Sequence, residues 1–282
     1  MTPVIQPSDS PKTIALKQPN SAPCADRPLL TRYSDNPILS GHDWPYAVNS
    51  VFNAGAVLLP DGDTLLLCRV EDRSGLSHLC AARSQNGING WRIDAKPTLL
   101  ANPELYPEEI WGIEDPRITY VPELEQYAVA YTSFARGGPG VSLALTKDFR
   151  TFERFGVIMQ PEDKDAALLP RRINGYWAMI HRPMTTTGAH MWISYSPDLR
   201  HWGSHKIMLQ ARRGGWWDAN KIGLCSPPIE TSKGWSSTTV CELPRRGASI
   251  DWALHSSTSI NLRSACNAET HGSSVLKLHM SA

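Results

Sequence analysis

The sequence predicts an all-β protein of the β-propeller type, and three observations carry that expectation. Stretches such as "TLLLCRVE" (64–71), "QYAVAYTSF" (126–134) and "GYWAMIHRP" (175–183) are short, rich in β-branched, aromatic and aliphatic residues, and bounded by Gly, Pro, Asp or Asn. No long amphipathic helix interrupts them. A weak repeat runs beneath: "ARSQNGINGW" ends at Trp91, "ALTKDFRTF" at Phe152 and "SYSPDLRHW" at Trp202, spaced by 61 and 50 residues. That spacing suits a blade of four strands and is too long for a helical repeat. A β-sandwich is the alternative arrangement of the same strands.

Residues 1–32, rich in Pro, Ser and Lys, read as a flexible N-terminal arm. They lack a basic segment followed by an apolar one, and the 282-residue chain has no run of 18 apolar residues, so the reading is cytoplasmic with no membrane partner. The six cysteines are scattered, without a C-x-x-C pair or a zinc-like His spacing; free thiols and no metal site are expected. A net charge of +1 without a basic stripe argues against nucleic acid. Ten Trp and eight Tyr would suit sugar rings, although any single one is more often a packing residue.

The candidate chemistry centres on "WGIEDPR" (111–117), two adjacent carboxylates followed by Pro and Arg. Inverting cleavage of a glycoside needs one carboxylic acid to protonate the leaving oxygen and a nucleophile on the opposite face of the ring. A hydrolase activates water with a second carboxylate. If phosphate attacks instead, that carboxylate would repel it, and Arg, Lys and His are required. "IHRP" (180–183) and "WWDANKIG" (216–223) offer such cations, with Arg69 and Arg73 of "CRVEDR" (68–73) beside them. The strands expected to line the channel carry Arg69, then Tyr131 and Ser133, then His181 and Arg182. Taken singly these signals are weak, since "EDPR" also reads as an Asp-initiated turn with an ion-paired Arg.

Together, "NSVFNAGAV" (49–57), "CRVEDRSGLSHL" (68–79), "WGIEDPRIT" (111–119), "KDAALLPRRINGYWAMIHRP" (164–183), "ISYSPDLRHWG" (193–203) and "WWDANKIG" (216–223) resemble glycoside hydrolase family 130, the inverting β-mannoside phosphorylases, over residues 33–235. The resemblance implies a five-bladed β-propeller that phosphorolyses β-linked mannosides to α-mannose 1-phosphate, with inorganic phosphate as cosubstrate and no other cofactor. It implies Asp115 as general acid, acting through the mannose 3-hydroxyl. Arg182 and Lys221 then match phosphate ligands, and Asn49, Ser50, Arg69, Arg73 and Asp218 the sugar-binding region. It also implies homo-oligomers built through surface loops and terminal extensions. Because Arg117 would depress the acid's pKa if paired with it, its side chain is expected to point away from Asp115.

The resemblance stops at Trp235. Residues 236–282 contain ten Ser and no Tyr or Phe, where the family would continue through Tyr-His-Gly, whose His completes the phosphate site, into a fifth blade. Read one nucleotide earlier, the codons that could encode this tail are compatible with that missing continuation. The expectation is therefore a partial propeller of about three and a half blades over 33–235 and an out-of-frame tail over 236–282. Such a chain would keep the acid but be inactive. A β-mannoside hydrolase and a non-catalytic sugar-binding propeller are the alternatives.

Overall fold

The computed structural model describes residues 33–214, 219–231, 234–241 and 253–260, the last two as backbone. The fold described below belongs to the unit Arg32–Ser281. The N-terminal arm lies outside the described residues.

The chain lays down four antiparallel sheets in sequence order. The first contains β1 (Ser50–Leu58), β2 (Thr64–Glu71), β3 (Ser77–Ser84) and β4 (Arg92–Ile93), each paired with the next. The second repeats that order with β5 (Ile113–Val121), β6 (Gln126–Ala135), β7 (Gly138–Thr146) and β8 (Glu153–Met159). In the third, β9 (Asp163–Leu168), β10 (Trp177–Thr185), β12 (Met191–Ser196) and β13 (Gly203–Leu209) keep the order, and β11 (Gly188–Ala189) adds a short hairpin to β10. The fourth holds β14 (Gly223–Leu224), β15 (Ile229–Thr231), β16 (Gly234–Cys241) and β17 (Ala253–Ile260), with β16 paired to the other three. It draws strands from both sides of Trp235; residues 242–252 and 261–282, the greater part of the tail, lie outside the described residues. Among the described residues no helix is long and apolar enough to cross a membrane.

Strands buried on both faces explain the continuous apolar runs. Along β6, Val129 and Tyr131 pack with Leu65, Leu67 and Leu79 of the first sheet, while Ala128 and Ala130 face Leu168, Trp177 and Met179 of the third. Along β10, Ala178 and Ile180 turn the other way, onto Ile222 and Leu224 of the fourth. Alternation with a period of two therefore glues the second sheet to the first and third, and the third to the second and fourth. Burial of one such Leu or Ile contributes about 1.5–3 kcal/mol.

The repeat seen in the sequence is the turn between the third and fourth strands of each sheet. Ser84, Thr146 and Ser196 end those third strands, and two residues later the side chains of Asn86, Asp148 and Asp198 accept backbone N–H groups of the turn. The next residue takes a left-handed backbone each time: Gly87 at φ 70°, Phe149 at 54° and Leu199 at 67°. The backbone N–H of Thr151 on Asp148, and that of His201 on Asp198, lead the interactions that hold these carboxyls below their ordinary pKa. Cys68 and Cys80 are buried free thiols directly opposite one another on β2 and β3. Burial pushes the Cys68 thiol up to about 12 and raises that of Cys80, so neither is a ready nucleophile.

Candidate active site

The first strands of the sheets, not the second, pack against one another: β1 on β5, β5 on β9, and β9 on β14. Three of them break register at the same place. A bulge separates Phe52 from Gly55 in β1, another separates Glu114 from Arg117 in β5, and β9 slips against β10 between Ile180 and Arg182. In each bulge an Asn or Asp adopts a left-handed backbone: Asn53 (φ 48°), Asp115 (50°) and Asp165 (53°), with Asn220 (66°) just before β14. These are the residue types that enter this region most readily after Gly. Pro116 adds to this by disfavouring the right-handed helical region for Asp115. The strands approach so closely that a Cβ on Gly55 would lie 2.6 Å from the Pro116 carbonyl oxygen.

An acid centre forms where the first two sheets meet the third. Asp115 Oδ1 accepts hydrogen bonds from Asn53 Nδ2 (3.0 Å) and Arg69 Nη1 (3.1 Å), and Lys164 Nζ lies 3.8 Å from Oδ2. The same Arg69 donates through Nη2 to Glu114 Oε1 (3.1 Å), whose other oxygen accepts from Lys164 Nζ at 3.2 Å. Ser77 Oγ accepts from Arg69 Nε (2.9 Å), and the Phe52 ring lies under the guanidinium at 4.5 Å. The carboxylates of Glu114 and Asp115 are each 12% exposed, so two acids share two cations at the edge of solvent.

A cationic centre lies beside it. Asp165 Oδ1 accepts from Arg117 Nη2 (3.1 Å) and Oδ2 from Arg182 Nε (2.7 Å). Burial raises the Asp165 pKa, but Arg117 and Arg182 together with Lys164 outweigh it and hold the carboxyl below its ordinary value. Arg117 also donates to the carbonyls of Leu224 (2.7 Å) and Cys225 (3.1 Å), anchoring the fourth sheet. Its only bond to Asp115 is to the backbone oxygen, at 3.3 Å. The Arg117 side chain thus points away from the Asp115 carboxylate, as expected, and it is Arg69 that supplies that carboxylate with a guanidinium.

Arg182 is held a second time. Its backbone N–H donates to Asp163 Oδ1 (3.1 Å), and Asp163 Oδ2 bonds His181 Nδ1 at 2.5 Å. From there a buried polar line continues through Ser194 Oγ (2.6 Å from His181 Nε2) to His205 Nδ1 (2.6 Å), crossing the third sheet from β9 to β13.

Arg69 and Arg182 come from second strands, yet each sits opposite a first-strand bulge, across from Phe52 and Lys164 respectively, and so reaches the site. Tyr131, Ser133 and His181 do not line the channel. They lie inside the sheets, where Tyr131 donates to buried Glu109 at 2.8 Å and Ser133 bonds Ser142, because β6 and β10 are covered on both faces. Asn49 donates through Nδ2 to Glu71 Oε1 (2.5 Å), and Ser50 opens β1 opposite Glu71. Arg73 is exposed on the turn that Asp72 closes by accepting the N–H groups of Ser74 and Leu76, and takes part in neither centre. Lys221 follows Asn220 and bridges Ala189 through its backbone; Asp218 lies outside the described residues. Asn53, Glu114, Lys164, Asp163 and Asp165 were not singled out from sequence. The signal that marks Asn53 and Asp165, as it marks Asp115, is an Asn or Asp inside a strand, where it is disfavoured, recurring at one bulge in each of the first three sheets.

A family model described as β-1,4-mannooligosaccharide phosphorylase matches residues 17–238. The chain is 33% identical over 226 residues to the β-1,4-mannooligosaccharide phosphorylase of Ruminococcus albus, a match spanning 77% of this chain and 65% of that enzyme. It is 35% identical over 219 residues to a 1,2-β-oligomannan phosphorylase of Thermoanaerobacter sp., covering 73% of this chain and 69% of that protein. The structure superposes with a TM-score of 0.71 on the β-1,2-mannobiose phosphorylase of Listeria innocua in complex with β-1,2-mannobiose, at 25% identity, over 82% of this chain and 79% of that one.

Proposed function

The chain belongs to glycoside hydrolase family 130, a family of five-bladed β-propeller fold, and from that premise we propose that its site phosphorolyses β-linked mannosides with inversion. In this reading Asp115 donates its proton to the glycosidic oxygen by way of the mannose 3-hydroxyl. The bond between the anomeric carbon and that oxygen breaks. A phosphate oxygen bonds the same carbon from the opposite face, giving α-mannose 1-phosphate and a shortened sugar. Arg182 and Lys221 bind the phosphate; Asn49, Ser50 and Arg69, with Arg73 and Asp218, serve the mannose. Phosphate is the cosubstrate, and the setting is the cytoplasm, where inorganic phosphate and reduced thiols coexist.

The observation that supports this most is the separation of charge between neighbouring sheets. The acid centre sets two carboxylates between Arg69 and Lys164, whereas beside it two guanidinium groups, of Arg117 and Arg182, converge on the one side-chain carboxylate of Asp165. An acid beside converging guanidinium groups is the arrangement that attack by an anion needs.

The test is incubation of the purified protein with β-1,4- or β-1,2-mannobiose and inorganic phosphate, followed by phosphorus NMR. α-Mannose 1-phosphate is the product that bears out the proposal and overturns the expectation from sequence that a chain departing from the family after Trp235 is inactive. Release of mannose at a rate independent of phosphate would assign hydrolysis instead. Calorimetric binding of mannobiose without turnover would assign the non-catalytic sugar-binding reading.

A further inference from the structure

Resting on the reading of Arg182 as a phosphate ligand, we propose that Asp163 and Asp165 are positioning residues that together fix Arg182 for phosphate, and that Gly223 is the space their arrangement requires. Arg182 alone could swing through many rotamers, because its long side chain carries high rotamer entropy. Here it is pinned at both ends. Asp163 accepts its backbone N–H, and Asp165 accepts Nε. With Nε occupied, and Nη1 directed at Met184 Sδ at 3.0 Å, the orientation of the guanidinium plane is set. Both anchors are themselves fixed. Asp163 is locked by His181 inside the sheet, and Asp165 by Arg117, which is tied in turn to the carbonyls of Leu224 and Cys225.

Gly223 closes the arrangement. A Cβ at that position would lie 2.3 Å from Asp165 Oδ2 and 3.1 Å from Arg182 Nε, so no other residue fits against the pair without displacing it. Four elements therefore meet on one carboxylate: β5 through Arg117, β9 through Asp165 itself, β10 through Arg182 and β14 through Gly223. Between the two anchors Lys164 turns to Glu114 and Asp115, so the tripeptide Asp163–Lys164–Asp165 serves both centres.

Positioning and plain electrostatics predict opposite signs for one substitution. Asp165→Asn removes a negative charge beside the phosphate site, which by charge alone should tighten an anion. If Asp165 positions Arg182, phosphate binding weakens instead. Gly223→Ala changes no charge and should give the same phenotype by pushing Asp165 aside. The experiment is calorimetric titration of the full-length wild type, D165N and G223A with inorganic phosphate and, separately, with mannobiose, with thermal melting as a fold check.

Expected is a loss of phosphate affinity of roughly ten- to a hundred-fold in both variants, with mannobiose affinity kept within about two-fold. Phosphate binding that tightens in D165N, or is unchanged in G223A, overturns the proposal while leaving the phosphate reading of the site intact. A parallel loss of both ligands with a lowered Tm overturns it too, since that marks a merely structural role. A wild type that binds mannobiose but no phosphate overturns the underlying reading of Arg182, and the proposal with it.

Discussion

Asp115 and Asp165 occupy equivalent bulges in adjacent sheets, with backbone φ of 50° and 53°, yet they face different surroundings. Asp115 meets an amide, one guanidinium and, at 3.8 Å, the Lys164 ammonium, and it shares both cations with Glu114. Asp165 meets two guanidinium groups, from β5 and β10. The same backbone device thus presents two carboxylates, and the neighbouring sheet decides their use. A general acid must take up a proton as well as release it. Asp165, held ionised by Arg117 and Arg182, is placed to organise cations and is unsuited to protonate a leaving group. The comparison teaches that in a radial sheet architecture a repeated bulge supplies positions, while chemistry is written by the second strands and by the next sheet.

The most forceful way to break this contrast is to remove each carboxylate in turn. Asp115→Asn should lower kcat by about 10²- to 10⁴-fold, the usual contribution of a general acid, with mannobiose affinity largely kept. At saturating phosphate, D165N should retain most of its turnover. Comparable loss of kcat in the two variants would end the distinction drawn between them.

Arg69 is the next lever, because it serves Glu114 and Asp115 together. Arg69→Met keeps much of the side chain that rests on Phe52 but strips both charge-assisted bonds, leaving Glu114 to Lys164 and Asp115 to Asn53. The expected cost is about 2 kcal/mol of stability in urea unfolding, with a further loss of kcat as the acid loses its orientation. Stability equal to wild type would mean that the acid centre is held by Lys164 and Asn53 alone.

Much of this was legible before any coordinates. The apolar runs, the turn repeat ending at Trp91, Phe152 and Trp202, and the motif around Asp115 all predict sheets with an acid at their centre. Arg117 turns away from the Asp115 carboxylate as expected, yet that acid still receives a guanidinium, from Arg69. What stayed hidden depends on contacts between sheets. Asp165 lies inside "KDAALLP", where nothing local says that Arg117, 48 residues earlier, and Gly223 will converge on it. Tyr131, Ser133 and His181 mislead for the converse reason. They are polar residues on strands covered on both faces, and their partners Glu109, Ser142, Asp163 and Ser194 come from other strands and turns. Strand alternation tells which residues share a face, not which face is the channel.

Acid titration sharpens the contrast from the side of Asp165. Its folded pKa is depressed below the unfolded value, so its ion pairs contribute stability that is fully present above the ordinary carboxylate range and is lost as pH falls through the folded value. Wild type should therefore be more stable than D165N at neutral pH, and the gap should close in acid, where a protonated Asp165 is nearly isosteric with Asn. Melting curves of the two proteins taken from neutrality downwards check this. A gap that widens in acid would mean that the Asp165 pairs are not what stabilises the junction of the second, third and fourth sheets.

The smallest effect concerns the bulge itself and separates backbone from side chain at Asn53. Its left-handed backbone (φ 48°) suits Asn and Gly and costs other residues roughly 1–2 kcal/mol, while its amide donates to Asp115. Asn53→Ala pays for both losses, whereas Asn53→Gly relieves the backbone and loses only the hydrogen bond. N53A should therefore be about 1 kcal/mol less stable than N53G, and the two should share the same modest fall in kcat, since both deprive Asp115 of the amide. Equal stabilities would show that the β1 bulge relaxes when its Asn is lost. The repeated left-handed residue would then follow from the sheet contacts around it, and the bulges of Asp115 and Asp165 would owe their geometry to Arg69, Arg117 and Arg182 as well.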